Sequence, residues 1–171
     1  ILLEKPIARS TTEAKEILSK AKANNVKIMI GYPLQFSAPF MELKKKMERG
    51  EVGEIQTAYT VNINSGPFVY RAETGAPSPV PEWWWKKDSI GGGALMDLGS
   101  HMINLAQWYF GEVVDAKSYL GYRYNMEHED HAIALLKFKA GQIVTVNVGW
   151  YSGQTQMQFD ALSLPGCHPG T

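Results

Sequence analysis

Apolar and polar positions change period several times along the chain, and each change predicts an element. Ile1-Leu2-Leu3 is a short apolar run, closed by Pro6, that reads as a buried strand. Ser10, with Glu13 three residues later, makes a capping box. Ala14, Ile17, Leu18 and Ala21 then recur at helical spacing up to Asn24-Asn25. Val26 to Ile30 is a second buried-type strand, closed by Gly31. Strand, helix and strand in that order predict one parallel βαβ unit.

Beyond Gly31 the pattern is different. Phe40, Leu43 and Met47 give a helix ended by Arg49-Gly50, and Ile55, Thr57, Tyr59, Val61 and Ile63 alternate along a half-buried strand. Residues 64–93 form a long connection rich in Pro, Gly and Trp. Connections of that length are commonly functional or flexible. A helix is expected from Ala94 to Tyr109, stopping at Gly111, and strands over Val114–Tyr124, Ala132–Phe138 and Gln142–Tyr151. Lys139-Ala140-Gly141 joins the last two as a tight hairpin, and Gln154 to Leu164 offers a further strand. The fold class expected is α+β: an open, mainly antiparallel sheet with helices on one face, preceded by the last βαβ unit of a doubly wound Rossmann domain. The boundary falls at Gly31, with residues 1–31 as the dinucleotide-domain remnant and 32–171 as a substrate-binding, catalytic domain.

Composition narrows the function classes. The 171 residues are 44% hydrophobic and 20% charged, and the 17 basic and 17 acidic residues cancel. A balanced chain gives no electrostatic case for nucleic acid or an anionic membrane. Lys44-Lys45-Lys46 reads as a solvated helix face. No apolar run approaches the roughly 20 residues of a membrane span. Cys167 is the only cysteine, so no intrachain disulfide forms, which suits a cytoplasmic protein. A chain that opens inside a strand and without Met is expected to be a fragment, and Pro165 to Thr171 to be a loop at which it stops early.

Chemistry concentrates in Gly91-Gly92-Gly93-Ala94-Leu95-Met96-Asp97-Leu98-Gly99-Ser100-His101. Asp97 and His101 are four apart on a helix, so their side chains share one face, and the glycines allow close backbone approach to a ligand. A carboxylate beside an imidazole tunes it for acid–base work near pH 7. The alternative is an ordinary helix pair, or a His bonded to Asp within the fold. Lys5 stands at a strand carboxyl end, where α/β sheets gather ligands, although a lone lysine there can equally be a surface residue. Trp83, Trp84 and Trp85 offer flat faces to sugar rings, or else anchor the loop or an interface. His128-Glu129-Asp130-His131 resembles a metal cluster, but strand alternation points its histidines to opposite faces, so no metal is expected. Cys167-His168 lacks a second pair at zinc spacing.

The ordered set Glu4-Lys5-Pro6, Gly31-Tyr32 with Phe36 and Pro39, and Gly91-Gly92-Gly93…Asp97…His101 resembles the glucose–fructose oxidoreductase / inositol dehydrogenase (Gfo/Idh/MocA) family. The resemblance runs from residue 1 to about Trp150 and implies hydride transfer between NAD or NADP and a hydroxyl carbon of a sugar, cyclitol or related polyol. It assigns Glu4, Lys5 and Pro6 to the cofactor. Lys5 would hydrogen-bond the reacting oxygen, His101 would take the hydroxyl proton, and Asp97 would bind a substrate hydroxyl or orient the site. Tyr32, Gln35 and the three tryptophans would contact substrate; the family often has an arginine where this chain has Gln35. The Gly-x-Gly-x-x-Gly phosphate turn is missing from these residues, so they alone should not hold a dinucleotide tightly. A homodimer or homotetramer through the open sheet face is expected, with Tyr119, Tyr122 and Trp150 among the large residues it covers. Two further readings fit the residues: a metal-dependent lyase or isomerase on sugars, and a non-catalytic oligomerisation module.

Overall fold

The computed structural model describes residues 1–68 and 81–164. Cys167 and His168, the tail 165–171 and part of the long connection lie outside the described residues.

The chain begins with two short parallel strands, β1 (Leu2–Glu4) and β2 (Met29–Gly31), joined through helix α1 (Thr11–Ala23). The expected βαβ unit is present, with β2 shorter than its apolar run. Ser10 caps α1 by accepting from the Glu13 N–H at 3.2 Å. The Glu13 carboxyl turns back to the Arg9 N–H at 3.1 Å, one residue before the partner a capping box would use. Arg9 in turn donates to the Asp88 carbonyl at 2.8 Å, tying the start of α1 to the segment before the glycine run.

A five-stranded sheet follows, in spatial order β4-β5-β6-β3-β7. Its strands are β3 (Glu54–Ile63), β4 (Val113–Gly121), β5 (His131–Phe138), β6 (Ile143–Gly149) and β7 (Gln156–Leu164). Three of its four pairings are antiparallel; β3 and β6 run parallel. The hairpin at Lys139–Gly141 forms as expected, closed by the Gly141 N–H on the Phe138 carbonyl at 3.0 Å with Gly141 at φ +107°.

Helices α2 (Ala38–Glu48) and α3 (Ser100–Phe110) accompany this sheet. Met102 and Ala106 of α3 bury against Ala132, Ala134, Leu136, Val144, Val146 and Val148. Tyr109 Oη donates to the Phe40 carbonyl at 2.8 Å and Lys44 Nζ to that of Trp108 at 3.1 Å, locking α2 to α3. Lys44 is therefore a packing residue; of the basic run only Lys45 and Lys46 are exposed. The other sheet face is uncovered: Tyr59, Tyr119, Ile133, Leu135, Ile143 and Leu162 are all exposed, Tyr119 at 87%.

Two sequence expectations fail here for identifiable reasons. In β3 an irregularity between Ile55 and Thr57 inserts one residue and reverses the alternation. Ala58, Thr60 and Asn62 consequently face inward, and Thr57 and Tyr59 outward. Trp150 is 1% exposed rather than on the open face. It continues the inward parity of Val144, Val146 and Val148 past the end of β6, and Gly66 packs so closely that a Cβ there would overlap its ring.

Candidate active site

Asp97 lies in a π-helical turn, Leu95–Gly99, that runs straight into α3. Such wide turns inside helices recur at functional sites. Asp97 thus sits in π-helical rather than α-helical geometry, and no side-chain hydrogen bond joins it to His101. Asp97 turns to the βαβ unit instead. Lys5 Nζ, just beyond β1, donates to Asp97 Oδ1 at 2.6 Å and to the Asp97 carbonyl at 3.0 Å. The second carboxylate oxygen accepts from the Trp150 indole N–H at 3.3 Å. Side-chain exposures of 17% for Lys5 and 23% for Asp97 leave the pair reachable yet partly desolvated, where an ion pair is stronger than on an open surface.

Two cavities meet at Glu4 and Lys5. The larger, about 730 Å³, is lined by Lys5, Pro6, Trp83, Trp84, Gly93 and Asp97, with α1 on its far side. The smaller, about 450 Å³, is lined by Lys5, Gly31, Tyr32, Phe36 and His101. The structure thus brings Lys5 next to Asp97 in one recess and next to His101 in the other, with Lys5 as the shared wall. The Tyr32 ring meets His101 edge-on at 5.8 Å.

His101 is half-buried, and its Nδ1 has no hydrogen-bond partner. Burial, and then the positive charge of Lys5, lower its pKa below the ordinary imidazole value, against weaker opposing pulls from Asp97 and Glu4. A lowered pKa keeps the ring neutral near pH 7, the form able to accept a proton.

The three tryptophans divide. Trp83 and Trp84 line the larger cavity; Trp84 also packs on Trp150 at 5.7 Å, so it is anchor and wall at once. Trp85 packs on Phe68 at 5.8 Å and lines neither cavity. Gln35 lies in the 3-10 turn Pro33–Phe36 and likewise borders neither.

His128 and His131 take separate partners. His128 Nε2 is 3.2 Å from the Trp84 carbonyl, and His131 Nδ1 is 2.6 Å from Asp130 Oδ1. Trp150 and Glu129 are the site residues that sequence reasoning missed. Trp150 was signalled by strand parity. Glu129 carried no signal for this role, because its partners Gly93 and Leu95 lie over thirty residues upstream, beyond β4 and α3.

A family model described as the GFO/IDH/MocA C-terminal domain matches residues 40–162. The chain belongs to the Gfo/Idh/MocA family. Within it, scyllo-inositol 2-dehydrogenase (NADP(+)) IolU of Bacillus subtilis is 33% identical over 120 residues, 69% of this chain and 34% of that protein. Levoglucosan dehydrogenase of Pseudarthrobacter phenanthrenivorans is 29% identical over 112 residues, 66% of this chain and 27% of that protein. GenD2 from gentamicin A biosynthesis, solved with NAD, superposes at TM-score 0.82 and 24% identity over 96% of this chain and 45% of that one. Levoglucosan dehydrogenase solved with NADH and L-sorbose gives 0.81 and 21% over 94% and 45%. These two superpositions show the fold. The chain spans less than half the length of each of these relatives. No helix among the described residues is long and apolar enough to cross a membrane.

Proposed function

We propose that this Gfo/Idh/MocA chain supplies the substrate-binding and proton-transfer side of an NAD- or NADP-dependent dehydrogenase acting on a hydroxyl carbon of a sugar, cyclitol or related polyol. The observation that carries the reading is the 2.6 Å contact of Lys5 with Asp97 at the wall between two recesses, with a half-buried, neutral-leaning His101 in the second. The names of the inositol and levoglucosan dehydrogenases agree with that substrate class.

The residues present fit the nicotinamide end of the cofactor and not its phosphates. Pro6, Ile7, Ala8 and Ile17 give the larger cavity an apolar wall against which a flat ring can lie, with Glu4 and Lys5 at its edge. When bound, nicotinamide supplies the hydride acceptor. Lys5 orients the substrate hydroxyl and stabilises negative charge growing on its oxygen. His101 accepts the hydroxyl proton, and Asp97 holds a neighbouring hydroxyl while orienting Lys5. Trp83 and Trp84 present apolar faces to the C–H side of a sugar ring. The test is reduction of NAD⁺ and NADP⁺ by the full-length gene product across inositols, aldoses and anhydrosugars. Turnover with one group is expected; no turnover with any of them would sink the reading.

Assembly belongs to the same proposal. An uncovered sheet face carrying Tyr59, Tyr119, Ile133, Leu135, Ile143 and Leu162 is well suited to packing on a second copy, giving a homodimer or a tetramer built from it. Replacing Ile133 and Leu135 by Glu should leave the circular dichroism intact and lower the sedimentation coefficient to that of a monomer. An unchanged oligomer would place the interface elsewhere.

A further inference from the structure

His128, Glu129 and Asp130 follow one another into β5, and each bonds to a different part of the site. His128 Nε2 donates to the Trp84 carbonyl, since a carbonyl only accepts. The Asp130 carbonyl accepts from the Trp150 N–H at 2.9 Å, and the Trp150 indole reaches Asp97. Between them Glu129 is 7% exposed, a burial that a carboxyl group tolerates only when its hydrogen bonds are made. Its Oε1 accepts from the N–H groups of Gly93 and Leu95, both at 3.0 Å, and its carbonyl from Ala94 at 3.0 Å.

These are the donors that a helix start leaves without partners, and no side chain of its own sequence caps this one. The Gly93 carbonyl in turn accepts from the Asp97 N–H at 3.0 Å. One residue therefore separates the Glu129 carboxyl from Asp97, by way of the Gly93 peptide groups. That residue must be glycine, because a Cβ at Gly93 would overlap the Glu129 carbonyl.

We propose that Glu129 is a positioning residue: by fixing the first N–H groups of the π-turn, it sets where the Asp97 carboxylate meets Lys5 and the substrate. The proposal rests on the dehydrogenase reading for its catalytic consequence, but not for its geometric one. What Glu129 provides is an acceptor oxygen at a fixed reach.

Two variants of the full-length enzyme separate this role from mere stability. Glu129→Gln keeps an acceptor oxygen at the same distance, and its kcat and polyol KM should stay near the wild-type values. Glu129→Asp draws the acceptor back by one methylene. Misplacement on that scale should lower kcat/KM for the polyol by about 10- to 100-fold, with the KM for NAD(P) unchanged. A crystal structure of the Asp variant should show the Lys5–Asp97 contact lengthened from 2.6 Å. Wild-type kinetics in Glu129→Asp would overturn the proposal, as would an unmoved Lys5–Asp97 contact or a Gln variant damaged equally. Should the wild type oxidise no polyol, the dehydrogenase reading fails by itself. The Lys5–Asp97 separation in the Asp variant then decides the positioning role, a lengthened contact supporting it and an unmoved one overturning it.

Discussion

Replacing His101 by alanine in the full-length enzyme is expected to lower kcat by roughly 10²- to 10⁴-fold and to erase the acidic limb of the pH–rate profile. Hydride can leave an alcohol carbon only as the hydroxyl proton is lost, so a base must sit within hydrogen-bond reach. His101 qualifies only when neutral. Burial and the neighbouring Lys5 charge both disfavour its protonated form, so the limb should lie below the ordinary imidazole range. As pH falls through the lowered pKa, His101 becomes protonated and the rate falls. Stability carries the same signature. Because the folded-state pKa is the lower one, this site's contribution is complete above the unfolded value and is lost as pH falls through the folded value. The alanine variant should flatten both curves while leaving NAD(P) affinity nearly unchanged. Near-normal kcat with the acidic limb intact would remove His101 from the role of base.

Much of this arrangement was legible in the residues because it depends on local rules. Ser10 capping, the apolar periods of α1 and α3 and the Lys139–Gly141 turn are decided by neighbours a few positions apart. The ordered motifs around Lys5, Asp97 and His101 were also readable, since each is short and chemically distinctive. What was not legible depends on contacts remote in sequence. Lys5 and Asp97 are 92 positions apart, and nothing local announces that Asp97 faces Lys5 rather than His101. The π-turn that redirects it begins where Glu129, over thirty residues downstream, takes up the N–H groups of Gly93 and Leu95. The same holds for the parallel contact of β3 with β6, which joins strands at opposite ends of the domain. The inserted residue after Ile55 shows how a single irregularity turns a correct strand assignment into a wrong choice of face.

Lys5→Ala separates the cation's role from the base's, because its effect on pH dependence differs in kind from that of losing His101. Removing one preorganised donor from a developing oxyanion typically costs about 10²–10³ in kcat, and a loss of that size is expected here. The ammonium is also the second-largest influence lowering the His101 pKa, after burial. Without it, the remaining pulls of Asp97 and Glu4 both favour the protonated imidazole. The acidic limb should therefore survive in Lys5→Ala and move toward higher pH, whereas in His101→Ala it disappears. Lys5→Arg should not restore the wild-type rate. A planar guanidinium cannot reproduce the contacts that one ammonium makes with both Oδ1 and the carbonyl oxygen of Asp97. Stopped-flow measurement of the hydride step across pH reads both limbs without interference from product release. A limb that vanished in Lys5→Ala and persisted in His101→Ala would reverse the assignment, making Lys5 the base and His101 a binding residue.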